Sequence, residues 1–184
     1  MEDLRQVAGL ELLQKPSELQ RFSRDAFDYS PVLNAQLDRC QADLVVRPLN
    51  VEAVASLAAA CFRHQVPLTL RGTGTGNYGQ SVPLEGGVVM LTSALNKVRH
   101  IDRQTGTVTV EPGCSLRDLD QQLRNEGRQL RLLPSTWRSA TIGGFLAGGS
   151  GGIGSIRWGF LRDPGHLLGC LLYTSPSPRD PHLS

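Results

Sequence analysis

The stretch from Arg71 to Gly79, which reads RGTGTGNYG, decides how the whole chain is interpreted. It directly follows Pro67 to Arg71 (PLTLR), an apolar run that predicts a short strand. Four glycines in eight residues permit positive φ angles, so successive N–H groups can point inward as an anion nest. The side chains of Thr73, Thr75 and Asn77 add further donors. We therefore predict a cradle for phosphate or pyrophosphate, with an ordinary glycine-rich turn as the alternative.

Two common nucleotide sites do not fit this loop. Its glycines satisfy the pattern GxGxxG, but that fingerprint must open a helix in a dinucleotide-binding fold. Pro83 and the glycine pair behind it prevent a helix here. A P-loop requires Gly-Lys-Ser/Thr, and neither of the two lysines, Lys15 and Lys97, is near. An ordinary NAD domain and an ATP or GTP hydrolase are both disfavoured.

A second glycine-rich segment runs from Pro134 to Gly154 and reads PSTWRSATIGGFLAGGSGGIG. Glycine at this density lets a backbone pass closely against a flat ligand. Ser and Thr in the segment can donate hydrogen bonds to ring carbonyls or phosphate. A mobile surface loop is the alternative, but the interleaved Ile142, Phe145 and Ile153 are not typical of a solvated linker.

The periodicity of the rest of the chain predicts the α+β class. Residues 4–29 follow the helical period. Asn50 can cap a helix that has Val54, Leu57, Ala58 and Cys61 on one face, and Ser115 can cap a second with Leu116, Leu119 and Leu123 buried. The remaining predicted strands are 43–47, 87–91, 98–101, 107–111 and 130–133. The strands at 43–47 and 67–71 with the helix between them predict a parallel βαβ unit.

Composition narrows the class of protein. The chain has 184 residues, 40% of them hydrophobic, which can fill a core. A net charge of +2 indicates no nucleic-acid partner, and no apolar stretch is long enough to span a membrane. The four cysteines form no CxxC pair, which disfavours a metal site and a disulfide framework. We expect a cytoplasmic protein with reduced thiols.

Four motifs in order resemble a known flavoprotein family. They are RGTGTG from Arg71, VEPG ending at Gly113, TIGG from Thr141, and RWG ending at Gly159 before Arg162-Asp163. The chain resembles, over residues 43–169, the PCMH-type FAD-binding domain of the vanillyl-alcohol oxidase / p-cresol methylhydroxylase superfamily. Within it, the glycolate-oxidase-like and D-lactate-dehydrogenase-like flavoproteins are the most similar.

The resemblance implies a set of FAD-binding residues in the two glycine segments. The first loop would hold the pyrophosphate, and the second segment would line the flavin and its chain. The implied residues are Arg71, Gly72, Thr73, Gly74, Thr75, Gly76, Asn77, Pro134, Ser135, Thr136, Thr141, Gly143, Gly144, Gly148, Gly149, Ser150, Gly151 and Ile153. In covalent members of the superfamily, a His in the first loop and a Cys before TIGG attach the flavin. Thr75 and Trp137 stand at those two positions here, so we expect a non-covalent FAD.

The resemblance also implies that catalytic residues lie elsewhere. Family members continue into a substrate-binding domain that carries most of them, so we assign no catalytic residue here. Residues 170–180 read CLLYTSPSPRD, which resembles a translated sequencing adapter; a flexible native tail is the alternative. We expect an N-terminal helical extension over 1–42, a truncated FAD domain over 43–169, consisting of the βαβ subdomain and the start of a mixed-sheet subdomain, and a non-native disordered tail over 170–184.

Two functions from different classes remain open. The first is a piece of an FAD-linked oxidase or dehydrogenase that takes a hydride from a small hydroxy acid or alcohol, with an unknown electron acceptor. The second is a non-catalytic module that binds a nucleotide or phosphate. Reduction of bound flavin by a hydroxy acid distinguishes them.

Overall fold

The structure is a computed structural model that describes residues 2–149, 151–161 and 163. The predicted tail over 170–184 lies outside the described residues. The strands are β1 (Leu10–Leu13), β2 (Leu44–Pro48), β3 (Leu68–Arg71), β4 (Val88–Leu91), β5 (Val98–Asp102) and β6 (Thr107–Val110). The helices are α1 (Glu2–Arg5), α2 (Pro16–Phe22), α3 (Pro31–Leu37), α4 (Val51–Arg63), α5 (Leu116–Asn125), α6 (Ile142–Gly148) and α7 (Ser155–Trp158).

A four-stranded sheet in the order β1-β2-β4-β3 organises the first half of the chain. Strands β2 and β3 are both parallel to β4, which lies between them, and β1 is antiparallel to β2. The predicted parallel arrangement of β2, α4 and β3 is confirmed, with a third strand inserted. All four residues of β4 are buried because both faces of the sheet are covered.

The two faces of the sheet bury alternate residues of the same strands. Leu44, Val46 and Met90 pack against α4 and Leu4, while Val45 and Val89 pack on the other face against Phe22 of α2. Asn50 caps α4 by accepting a hydrogen bond from Ala53 N–H at 2.8 Å, as predicted. Of the predicted buried face of α4, Ala58 is exposed instead.

The helix predicted over residues 4–29 is wrong at residues 23–29, which form no helix, and at β1, which forms the edge of the sheet. Leu10 and Leu12 pack with the α4 face and Leu13 packs with the opposite face, as strand alternation requires. Gly9, with φ +78°, lies just before the strand, and its carbonyl accepts a hydrogen bond from Leu49 N–H. Pairing with β2 therefore overrides a leucine spacing that also suits a helix.

The second half builds a smaller unit around α5. Strands β5 and β6 form an antiparallel hairpin, and Leu119 and Leu123 of α5 pack against its apolar residues. Ser115 caps α5 by accepting from Asp118 N–H at 3.0 Å, as predicted. Gly127 follows the helix with φ +67°, where a left-handed residue ends a helix.

Two local expectations in this unit differ from the structure. Residues 130–133 form no strand, because only Leu133 pairs, in a single bridge with Ile153. Helix α6 lies where no helix was expected, and Thr141 caps it by accepting from Gly144 N–H at 3.2 Å. Among the described residues, no helix combines the length and apolar character needed to cross a bilayer.

Candidate functional site

The first glycine loop presents a row of backbone donors that have no partner among the described residues. Among the described residues, none accepts a hydrogen bond from the N–H groups of residues 73–77. Gly74 takes a φ of +73°, which an L side chain rarely adopts. The hydroxyls of Thr73 and Thr75 and the Asn77 amide make no hydrogen bond to described residues either. The donor set of the loop therefore fits an anion such as a phosphate.

Beneath the loop lies a cluster of charged and hydroxyl side chains, in which Arg71 and the Asp25 carboxylate are buried and Tyr29 and Ser81 are half-buried. Arg71 is 6% exposed, and its Nη1 lies 3.7 Å from the buried carboxylate of Asp25. Ser81 Oγ accepts a hydrogen bond from Arg71 Nη1 at 3.2 Å and donates one to Asp25. Tyr29 donates its hydroxyl to Asp25 at 2.9 Å. We call Asp25, Tyr29, Arg71 and Ser81 the floor cluster.

Burial changes the acid–base properties of two members of the floor cluster. Desolvation lowers the pKa of Arg71, and the Asp25 charge opposes that shift. Desolvation raises the pKa of Tyr29, and its hydrogen bond to Asp25 raises it further. The guanidinium of Arg71 thus depends on Asp25 as its counter-ion.

The second glycine segment meets the first loop at Thr141. A Cβ atom added to Gly72 would overlap the Thr141 Oγ1 atom, so the backbone of the first loop passes directly over that hydroxyl. Ile142 N–H donates to the Cys114 carbonyl and Gly143 N–H donates to the Pro112 carbonyl, each at 2.9 Å. The turn before α5 thus holds the TIGG segment against the first loop.

Three of the remaining predicted ligands, Pro134, Gly151 and Ile153, lie at or next to a second backbone contact. Leu133 and Ile153 pair through two backbone hydrogen bonds, and a Cβ on Gly152 would lie 2.5 Å from the Leu133 carbonyl oxygen. Pro134 directly follows Leu133, and Gly151 lies two residues before Ile153, so both are close in the chain to this pairing. The segments around Pro134 and Ile153 therefore lie side by side.

Exposure divides the predicted ligands into three groups, and Ser150 lies outside the described residues. The exposed residues are Thr73, Gly76, Asn77, Ser135, Thr136, Gly144, Gly148, Gly149 and Ile153. The half-buried residues are Gly72, Thr75, Gly143 and Gly151. The buried residues are Arg71, Gly74, Pro134 and Thr141.

The sequence reasoning missed three of the four members of the floor cluster. Asp25, Tyr29 and Ser81 carry no motif, and Asp25 is 56 positions from Ser81 in the chain. Their only local signal is that a carboxylate and a tyrosine occur four residues apart in a polar stretch. Such a pattern is most often a solvated surface.

The amino-acid sequence of the chain matches a family of cofactor-binding domains. Residues 42–174 match the family described as the FAD binding domain, which is well over half of the chain. The chain therefore belongs to the FAD-binding domain family, and FAD is its cofactor. The resemblance inferred from the four motifs is confirmed.

Known relatives of this chain are glycolate oxidase components and dehydrogenases. It is 34% identical over 121 residues to the glycolate oxidase subunit GlcD of Bacillus subtilis (strain 168), covering 66% of this chain and 26% of that protein. It is 30% identical over 153 residues to glycolate oxidase subunit GlcD of Escherichia coli (strain K12), covering 83% and 29% respectively. It is 33% identical over 126 residues to a probable mitochondrial D-lactate dehydrogenase of Danio rerio, covering 68% and 25%.

A solved structure shows the same fold. The chain superposes on an alkyldihydroxyacetonephosphate synthase with a TM-score of 0.73 at 23% identity, covering 88% of this chain and 34% of that one. The family match and this neighbour together confirm the α+β, PCMH-type assignment. The chain spans between 25% and 34% of the length of these relatives and this neighbour.

Proposed function

We propose that this chain binds FAD between its two glycine segments as part of an FAD-linked oxidoreductase that oxidises a small hydroxy acid or alcohol. The observation that carries the proposal is the row of donor N–H groups at residues 73–77, in a loop whose Gly72 lies against Thr141, within a domain of an FAD-binding family. These donors have no partner among the described residues. FAD carries a pyrophosphate, and its negative charge suits such a nest.

Different residues bind different parts of FAD. The N–H groups of residues 73–77, with Thr73, Thr75 and Asn77, hold the pyrophosphate. Residues 141–144 and 148–151 line the flavin and the chain that joins it to the phosphates, with Pro134 to Thr136 and Ile153 as further contacts. Arg71 acts from below the loop, because its guanidinium is buried in the floor cluster.

Bound FAD supplies an acceptor for a hydride from a carbon that bears a hydroxyl, and the protein binds and orients the two partners. The names of the relatives, glycolate oxidase and D-lactate dehydrogenase, support a 2-hydroxy acid as the substrate. The described residues supply no acid or base that we assign to the reaction. The electron acceptor is left open.

Titration of the full-length protein with FAD tests the proposal. We expect quenching of flavin fluorescence at one FAD per chain, followed by bleaching of the bound flavin when D-lactate or glycolate is added without oxygen. Binding without bleaching by any hydroxy acid or alcohol would support the non-catalytic module instead. Absence of FAD binding would overturn both the proposed cofactor site and the proposed oxidation.

We also propose that the FAD is held without a covalent bond. Thr75 and Trp137 stand where covalent members of the superfamily carry a histidine and a cysteine. Neither a neutral hydroxyl nor an indole is a nucleophile comparable to imidazole or thiolate near neutral pH. Acid precipitation of the FAD-loaded protein should release yellow colour to the supernatant. A washed pellet that stays yellow would contradict this.

A further inference from the structure

The carboxylate of Asp25 is the centre of the floor cluster and faces no solvent. Its side chain is fully buried, and it accepts hydrogen bonds from Tyr29 and Ser81 while lying 3.7 Å from Arg71 Nη1. A buried charge without such partners is strongly destabilising because it has lost its hydration, so Asp25 and Arg71 depend on each other. Both lie directly under the first glycine loop.

The guanidinium of Arg71 supports the backbone of the loop by direct contact. A Cβ atom on Gly74 would overlap the Arg71 Nη2 and Cζ atoms, so only glycine lets the chain lie this close. The same guanidinium donates to Ser81 Oγ and sits 6.0 Å from the centroid of the Phe22 ring. Arg71 is thus fixed from below by residues of the N-terminal segment and from the side by Ser81.

The residue after Asp25 orients the loop through a backbone hydrogen bond. Ala26 N–H donates to the Gly74 carbonyl at 2.9 Å. In a trans peptide unit, the N–H of the next residue points opposite to the carbonyl. The bond therefore turns Thr75 N–H away from the N-terminal segment, toward the side on which the loop donors have no partner among the described residues.

We infer that Asp25, Tyr29 and Ser81 are positioning residues that act through Arg71 and Ala26 to hold the first glycine loop in the geometry that accepts the FAD pyrophosphate. The inference rests on the proposed function, since it assigns the pyrophosphate to this loop. It gives residues 22–29, which precede the family match, a part in cofactor binding. None of the three side chains needs to touch FAD.

The test compares two buried aspartates in the full-length protein. Asp25→Asn keeps the shape of the side chain and removes the charge that Arg71 requires. Asp120→Asn is the matched control, because Asp120 is 4% exposed and hydrogen-bonded to Arg124 at 2.7 Å, but lies on α5 away from the floor cluster. Tyr29→Phe is the second variant, since it removes one hydrogen bond to Asp25 and keeps the ring.

Three measurements separate positioning from general stability. FAD affinity is measured by fluorescence quenching, ADP affinity by displacement of FAD, and the hydrogen exchange of the Ala26 amide by mass spectrometry without ligand. In Asp25→Asn we expect FAD and ADP to bind at least about tenfold more weakly, equivalent to about 1.4 kcal/mol. The Ala26 amide should exchange faster. Tyr29→Phe should move the same three quantities in the same direction by less.

The Asp120→Asn control shows whether any loss of FAD affinity is specific to the floor cluster. Asp120→Asn should leave FAD affinity, ADP affinity and Ala26 exchange as in the wild type, even where its melting temperature falls. Wild-type FAD affinity in Asp25→Asn, or an equal loss in Asp120→Asn, overturns the inference. If Asp25→Asn does not fold, wild-type values in Tyr29→Phe overturn it. If the wild type binds no FAD, the proposed function fails instead, and faster Ala26 exchange in Asp25→Asn would still show that the cluster holds the loop.

Discussion

The two glycine-rich segments are held in place by different kinds of interaction. The first, residues 71–79, rests on side chains, with Arg71, Asp25 and Ser81 packed beneath its backbone. The second, from Pro134 to Gly154, makes backbone hydrogen bonds to residues 112–116, to Leu133 and within itself, and it buries Phe145 in an apolar cluster. Side-chain changes far away in the chain should therefore damage the first, and added Cβ atoms should damage the second.

The physical reason is the type of atom that lies against the main chain of each segment. A backbone-to-backbone contact brings two main chains so close that a Cβ would collide with a carbonyl, as at Gly152 and Gly154. At Gly74 a Cβ would instead meet the guanidinium of Arg71, whose position depends on charge and hydrogen bonding, and a single backbone bond from Ala26 N–H joins the loop to the N-terminal segment.

The largest effect should come from Gly154→Ala in the second segment. Gly154 has a φ of +100°, and its Cβ would overlap the Arg131 carbonyl oxygen. Backbone strain of about 1–2 kcal/mol and overpacking of about 1–3 kcal/mol should together lower the free energy of unfolding by about 2–5 kcal/mol. Urea denaturation measures it. Gly148→Ala is the control, because no heavy atom lies within 4 Å of its Cβ; equal losses in both would break the contrast.

Gly74→Ala and Gly76→Ala form a matched pair in the first loop. Gly74 has a positive φ and lies against Arg71, so its substitution should weaken FAD binding by about tenfold or more, about 1.4 kcal/mol. Gly76 has no positive φ, and its Cβ would meet only the movable Gln80 side chain. Its substitution should change binding by less than about 0.5 kcal/mol. Equal losses of FAD affinity in the two variants, measured by fluorescence titration, would show that the floor cluster does not determine the conformation of the loop.

Thr141→Val tests the point where the two segments meet. The change keeps the shape of the side chain and removes the hydroxyl that accepts from Gly144 N–H. Loss of a helix cap should lower the free energy of unfolding by about 1 kcal/mol, and Thr141→Ser should retain most of it. A stable Val variant with unchanged FAD affinity would mean that the hydroxyl supports neither the helix nor the junction.

The smallest effect should be a decrease in the free energy of unfolding at alkaline pH. Cys114, beside the second segment, should contribute first, and Tyr29, beneath the first, should contribute at higher pH. Burial raises the pKa of the Cys114 thiol above its ordinary 9.0, and burial raises the pKa of Tyr29 above 10.0. The unfolded chain therefore loses these protons first, so the folded state binds more protons and stability falls as pH rises. The contribution of each group is fully present below its ordinary pKa.

Urea denaturation at several pH values follows that loss. Cys114 belongs to the backbone support of the second segment, and Tyr29 belongs to the floor cluster. Cys61, whose pKa burial also raises, contributes in the same range as Cys114. Replacing both cysteines by alanine should remove the fall that begins near pH 9, and Tyr29→Phe should remove the later one. If the free energy of unfolding decreases with pH in both variants as it does in the wild type, other groups cause the decrease.

Local patterns predicted the elements whose support is local. Asn50 and Ser115 cap their helices as expected, because a cap depends on residues two or three positions away. The run at Val88–Leu91 was predicted as a strand, since continuous burial favours an uninterrupted apolar run. The failures at Leu10–Leu13 and at residues 130–133 have one cause: whether a short apolar segment becomes a strand depends on whether another strand pairs with it.

The sequence by itself determined the family, the α+β class and the two glycine segments, because glycine density, strand-loop order and four spaced motifs are properties of consecutive residues. Tertiary structure alone decided that Thr141 meets Gly72 and that Asp25 lies under the first loop. An ion pair between residues distant in the chain leaves no periodic or compositional signal. It exists only once the packing of α2 and the sheet has brought the N-terminal segment beneath Arg71, where burial makes the charge of each partner indispensable to the other.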